Sequence, residues 1–349
     1  MFYKVLGMMS GTSLDGLDLA YCEFEIKNKQ WSYSIEKAQT IDYDNTLRKK
    51  ILACENSSAE YLSYTDFYLG KFFGKQAFKF LKENNLQVDF VVSHGQTIFH
   101  QPDKGYTTQI GNINSLCAEV KQTVIGDFRS LDVALGGQGA PLVSIGDKIL
   151  FKEYDSCLNL GGFSNISFES NGKRIAYDIC PVNMVLNHLA NSVDLPFDNK
   201  GILASQGNID LNLLNSLNSI LYYKNEEKKS LGKEWVKSNI FPILEYYTLD
   251  VKDILATYTE HITLQIAKHI KGKCLLSGGG AYNDFLVKKL QEKTGNSIYL
   301  PDKLTIDFKE ALIFSFLGVK RWRKEINCLS SVTGARQDSC TGNIVYWIK

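Results

Sequence analysis

Several things are missing from this 349-residue chain, and each absence removes a class of function. No apolar stretch reaches the roughly 18 residues needed to span a bilayer. The N-terminus lacks a basic region followed by an apolar core and a cleavage site, so the expected location is the cytoplasm. Charge of one sign is also lacking. A net charge of +1 leaves no broad footprint for nucleic acid or an anionic membrane. Basic clusters at 224–229 and 320–324 are diluted by Glu226, Glu227 and Glu325 and read as solvated faces. The eight cysteines contain no CxxC pair, which points to reduced, buried thiols rather than disulfides or a zinc site. Neither a Walker loop nor a Rossmann glycine fingerprint occurs.

What is present begins with Gly11-Thr12-Ser13-Leu14-Asp15-Gly16, a turn between the apolar runs 2–6 and 17–21. Glycines let such a turn offer successive N–H groups to phosphate oxygens. The bland alternative is a hairpin capped by its own Ser and Asp side chains. The design recurs at 156–168, where Leu158–Leu160 leads into Gly161-Gly162 and then Phe163–Phe168. Asn171-Gly172 follows as a hairpin turn into a third strand at 174–177. Each half therefore opens with a three-stranded antiparallel meander, as in an approximate duplication.

Helices are predicted over 58–84, from the turn-rich 136–141 to about 152, from Pro181 to Asn191, and over 209–222. A stripe at Ile254, Tyr258, Ile262, Ile266 and Ile270 predicts one over 253–270, with His261 and His269 solvated. A last, buried helix is expected over 308–324. Strands are expected at 88–92, 124–126 and 274–276, the last entering Gly278-Gly279-Gly280 before a helix near Asn283. Length and pattern together suggest an α/β chain of mixed sheets in two lobes, 1–152 and 153–349, with a ligand cleft between them. The C-terminal helix or strand is expected to pack back on the first lobe.

Eight ordered segments resemble bacterial anhydro-N-acetylmuramic acid kinases of the actin, hexokinase and sugar-kinase superfamily. They are Met9–Gly16, Ser93–Thr97, Asp127-Phe128-Arg129 with Asp132, Gly136–Val143, Leu158–Ser167, Ser277–Asn283, Lys309-Glu310-Ala311 and Val332–Ala335. The resemblance implies a two-lobed ribonuclease H-like (actin-like ATPase) fold, ATP with Mg2+, a sugar substrate and a homodimer. It implies a reaction in cell-wall recycling: ATP and water open 1,6-anhydro-N-acetylmuramic acid and leave a phosphate on O6. A carboxylate must then deprotonate water as it attacks the anomeric carbon. An ordinary sugar or carboxylate kinase, and an actin-like ATP-switched binding protein, are the alternatives on this scaffold.

By resemblance, Asp178 is the base; otherwise it is a helix-capping carboxylate. Gly11, Thr12, Ser13, Leu14, Asp15, Gly16, Leu17 and Asp18 would face phosphate or the metal's waters. Gly161, Gly162 and Asn165 form the second phosphate turn, and Gly278, Gly279, Gly280 and Asn283 lie by the adenosine. His94, Gly95, Gln96, Arg129, Asp132 and Glu310 are the sugar-side candidates. Arg129 and Asp132 are equally read as braces, and Glu310 as a dipole-matched first-turn carboxylate. No metal ligand is assigned: His94 and His100 lack a third partner for zinc, and the superfamily's Asp ahead of the first turn has no counterpart near Gly7. The chain also departs from the family where Cys180 and Val182 replace glycines, Asn187 replaces Asp, and Ser144 and Asp147 replace Pro and His.

Overall fold

Apolar and aromatic residues build the N-terminal strands β1 (Phe2–Ser10), β2 (Gly16–Lys27) and β3 (Gln30–Asp42) as an antiparallel meander. In the computed structural model, which describes residues 1–224 and 231–348, a long helix Ala59–Glu83 follows, capped by Ser58. Next come β4 (Phe90–Ser93), the small ribbon β5 (Gln96–Gln101) and β6 (Tyr106–Ile110), and β7 (Val124–Gly126). β4 and β7 add in parallel on the β1 side. Val5–Met8 and Phe90–Ser93 are buried without alternation, as central strands covered on both faces must be.

The second half repeats the plan. β8 (Ser156–Leu160), β9 (Phe163–Ser170) and β10 (Lys173–Pro181) are an antiparallel meander. The β9–β10 turn has both Asn171 and Gly172 at positive φ, the conformation that matches strand twist. β11 (Cys274–Ser277) and β12 (Ile298–Tyr299) add in parallel on the β8 side. After the helix Lys303–Trp322 the chain adds β13 (Asn343–Val345) antiparallel to β7.

The two sheets run β13-β7-β4-β1-β2-β3 and β10-β9-β8-β11-β12. Leaving out β13, both have the order three-two-one-four-five with only the second strand reversed. That is the ribonuclease H-like sheet, present twice. One unit comprises Met1–Leu150 with Phe308–Lys349, the other Phe151–Asp307. The first has its core around Leu6, Leu19, Phe73 and Phe80, the second around Leu158, Ile166, Tyr258 and Leu276.

Some sequence expectations shift. Pro181 does not start a helix: it ends β10, paired with Phe163, and the helix begins at Asn183. The last helix starts at Lys303, with its kink at Phe308 where the sequence places the helix start. His261 is not solvated but wholly buried in the helix Val251–Ala267, its Nδ1 2.8 Å from Asn218 Oδ1; His269 Nδ1 lies 3.0 Å from the Tyr177 hydroxyl. That helix is packed on several faces, so its apolar stripe marks only one of them. Seven of the eight cysteines are buried, and Cys340 is half-buried. Of the two basic clusters, 225–229 lies outside the described residues, while Lys320 and Arg323 both pair with Glu325.

Candidate active site

In the first unit the β1–β2 hairpin turns at Gly11–Leu14, where the Leu14 N–H donates to the Gly11 carbonyl at 3.2 Å. Thr12, Ser13 and Asp15 are exposed, whereas Leu14 and Leu17 drop into the core. Leu14 and Leu17 can therefore offer a ligand only main-chain atoms. Gly16 is needed because a Cβ there would lie 2.6 Å from the Ile41 carbonyl. Asp18, half-buried, accepts from Thr40 Oγ1 at 2.6 Å. Beneath the turn, Ser10 donates to Gln96 Oε1 at 2.5 Å, so its single hydrogen is used and the Tyr43 hydroxyl donates to Ser10 Oγ at 2.6 Å. This buried chain ties the hairpin to the 93–97 loop.

At Gly7 a Cβ would sit within 2.3 Å of the Ala311 carbonyl and still closer to Ser315 Oγ. The helix backbone presses directly on β1, which explains why no aspartate stands there.

The sugar-side candidates gather in the same unit. Arg129 Nη2 donates to His94 Nε2 at 3.0 Å and Nη1 to the Gly139 carbonyl at 2.7 Å. A guanidinium cannot accept, so His94 carries its hydrogen on Nδ1. Burial and then Arg129 hold His94 well below its usual pKa, and its ring stacks on Phe314 at 4.1 Å. Burial lowers Arg129 to about 10, opposed by Glu310. Glu310, exposed in the first turn after the Phe308 kink, is raised by the surrounding bulk of protein, with Arg129 and Lys309 pulling it back. Gln96 and Gly95 are buried, Gly95 at φ +74°.

Asp132 is wholly buried: Oδ2 accepts from the Gly139 N–H at 2.8 Å, and Oδ1 from Thr333 Oγ1 at 2.8 Å and Cys328 Sγ at 3.1 Å. Its oxygens hold the 137–139 turn. Asp147, on the helix Ser144–Leu150, forms a buried ion pair with Lys309 at 2.8 Å. The carboxylate that departs from the family pattern thus neutralises the lysine beside Glu310.

In the second unit three polar residues stand in one row. Register pairs Asn159 with Asn165 and Asn165 with Asp178, so all three share a face of the sheet. Between Asp178 and Cys180 the register slips, leaving Ile179 as the extra residue of a bulge. Asp178 is half-buried, and its Oδ2 accepts from the Leu231 N–H at 2.8 Å. Burial lifts its pKa from 3.8 to about 6, the Leu231 N–H working against the rise. Cys180 and Val182 are fully buried in the core at negative or unremarkable φ, and Ser164 Oγ accepts from the Cys180 N–H at 3.2 Å. Side chains in place of glycine therefore fill core space beside Asp178.

The two glycine turns of this unit meet around Leu160. Gly278 has φ +84°, and its Cβ would lie 2.9 Å from the Leu160 carbonyl carbon; that of Gly280 would lie 2.6 Å from Leu160 Cβ. The Gly161 and Gly162 carbonyls accept from the N–H groups of residues 182–184, joining the turn to the helix Asn183–Asn191. Gly279, Gly280 and Asn283, with Asn183, Asn187 and Tyr282, line a cavity of about 560 Å³. Asn283 also caps the helix Asp284–Thr294 through Oδ1, and Asn187 reaches the cavity where the family carries Asp.

A family model described as anhydro-N-acetylmuramic acid kinase matches residues 3–347. The chain belongs to that family. Proteins named anhydro-N-acetylmuramic acid kinase from Bacillus cereus (strain Q1) and Bacillus thuringiensis subsp. konkukian (strain 97-27) are 31% and 32% identical to it. Each alignment covers 98% of this chain and 99% of the relative. Among solved structures, the activator of 2-hydroxyisocaproyl-CoA dehydratase from Clostridium difficile with bound ADPNP has 14% identity and a TM-score of 0.46, over 92% of this chain and 97% of that one. The protein is a kinase acting on a sugar hydroxyl in cell-wall recycling.

Sequence reasoning passed over Asn159, although it lies inside the quoted 158–167 motif. It assigned no role to Ser10, inside the Met9–Gly16 segment, and passed over Tyr43 and Tyr222, whose contacts are long-range and carry no local spacing signal.

Proposed function

We propose that Asp178 is the general base by which this kinase opens 1,6-anhydro-N-acetylmuramic acid and yields N-acetylmuramic acid 6-phosphate. An O–H bond of water breaks, its proton passes to the Asp178 carboxylate, and the oxygen bonds to C1 of the sugar. The C1–O6 bond breaks with its electron pair on O6. O6 then bonds to the γ-phosphorus of ATP as the bond to the β–γ bridging oxygen breaks, and ADP departs. The observation that carries the assignment is Asp178 itself: half-buried, set at a bulge, and lifted to about 6, so it is ionised at neutral pH yet basic enough to take a proton.

The remaining roles follow the chemistry of each group. Thr12, Ser13 and Asp15, with main-chain N–H groups from Gly11 to Asp18, receive phosphate, as do Gly161, Gly162 and Asn165. Gly278, Gly279, Gly280 and Asn283 receive adenosine, for which a cavity of about 560 Å³ is ample. His94, Gly95, Gln96, Arg129 and Glu310 serve the sugar, and Asp132 positions Arg129 through the Gly139 turn. Among the described residues no three His, Cys, Asp or Glu side chains form a metal cluster. Asp15 and Asp18 suit a Mg2+ carried mainly by ATP and reached through water. When bound, the ion neutralises charge on the transferring phosphoryl group. The assembly proposed is a homodimer in the cytoplasm.

Turnover in oxygen-18 water tests the reading. The label is expected on the anomeric hydroxyl of the product. Product without label, or ADP release indifferent to the anhydro sugar, refutes it.

A further inference from the structure

The bulge at Ile179 breaks the β9–β10 ladder beside Asp178, and two groups from outside the sheet attend to that break. The Tyr222 hydroxyl donates to the Asp178 main-chain carbonyl at 2.6 Å. The Leu231 N–H donates to Asp178 Oδ2 at 2.8 Å. Tyr222 lies on the turn Leu221–Lys224, its ring 5.2 Å from Trp235 and 5.6 Å from Tyr223. One group thus fixes the main chain of Asp178 and the other fixes one carboxylate oxygen. Oδ1 accepts no hydrogen bond from the described residues.

We propose that Tyr222 and the Leu231 amide are positioning groups for Asp178, and that the proton of the attacking water goes to Oδ1. This rests on Asp178 being the base. An oxygen that already accepts an amide hydrogen has given up basicity, and its partner on the same carboxylate keeps it. With the main chain held by Tyr222 and Oδ2 by Leu231, the carboxylate plane is set and only Oδ1 remains for water. Among the described residues the ionisable groups facing Asp178 are Tyr222 and Cys180, and burial keeps both protonated: the Cys180 thiol is pushed up to about 12 and the Tyr222 phenol is raised further. Neither supplies a charge that competes in setting the protonation of Asp178.

The test uses the full chain with ATP and the anhydro sugar. Tyr222→Phe is expected to lower kcat about 10-fold, the weight of one hydrogen bond, with the KM for ATP unchanged. In an Asp178→Asn background it should cost nothing more. Leu231→Pro deletes the N–H and should move the acidic limb of the rate profile upward from about pH 6, because the charged carboxylate loses a donor. ATP binding, measured by calorimetry, checks that each variant is folded, and Tyr222→Phe alone suffices if Leu231→Pro is not. Wild-type kcat in Tyr222→Phe with an inactive Asp178→Asn overturns the positioning role and leaves the base in place. Wild-type turnover in Asp178→Asn removes the base and the positioning role with it.

Discussion

Asp178 concentrates the conflict between stability and chemistry in one carboxyl group. Its pKa is raised in the folded state, so between about pH 4 and 6 the native protein binds more protons than the unfolded chain. Stability therefore falls as pH climbs through that window, and a charged Asp178 costs stability at neutral pH. Asp178→Asn should lower turnover by roughly 10²–10⁴-fold and, in the same sample at pH 7.5, raise Tm by a few degrees. A lower Tm in differential scanning calorimetry would contradict the desolvated charge. The wild-type rate should rise with pH through about 6 as the base ionises, a limb readable from kcat/KM between pH 4.5 and 8.

At the scale of elements, the meanders were readable because apolar runs and turn chemistry are local. The helix Ala59–Glu83 and the helix start near Asn283 were readable for the same reason. What escaped depends on partners far along the chain. Asp132 is sealed by Cys328 and Thr333, 196 and 201 residues away, so nothing near it in sequence separates brace from ligand contact. The β10 bulge arises because Pro181 stays in register with Phe163, and the proline suggested a helix start instead. The Asp147–Lys309 pair joins two helices that the whole of the second unit separates along the chain. Gly278 gives the sharpest element-level test. Gly278→Ala forces a Cβ against the Leu160 main chain at positive φ. The β8–β11 contact should loosen and nucleotide affinity drop at least 10-fold, by displacement of the cavity-lining turn that follows it. Unchanged affinity in a titration with a fluorescent ATP analogue would separate that turn from the nucleotide.

For the whole molecule, two sheets of identical strand order have been put to different uses. The second carries the cavity, the adjoining glycine turns and Asp178; the first carries the exposed hairpin and the Arg129 cluster. Hydrogen exchange should record that division: ADP without sugar is expected to protect 183–187 and 278–283 while leaving 93–97 and 129–139 unchanged. Protection in the reverse pattern would transfer adenosine to the other unit. The contact at Gly7 reaches further, limiting what the end of β1 can carry. A carboxylate on β1 would have to displace Ser315 and the main chain of Ala311 together. Truncating Ser315 clears only half the obstruction, because a peptide carbonyl cannot be mutated away. A single replacement at that point of β1 therefore cannot supply a metal-seeking acid unless the helix itself gives way.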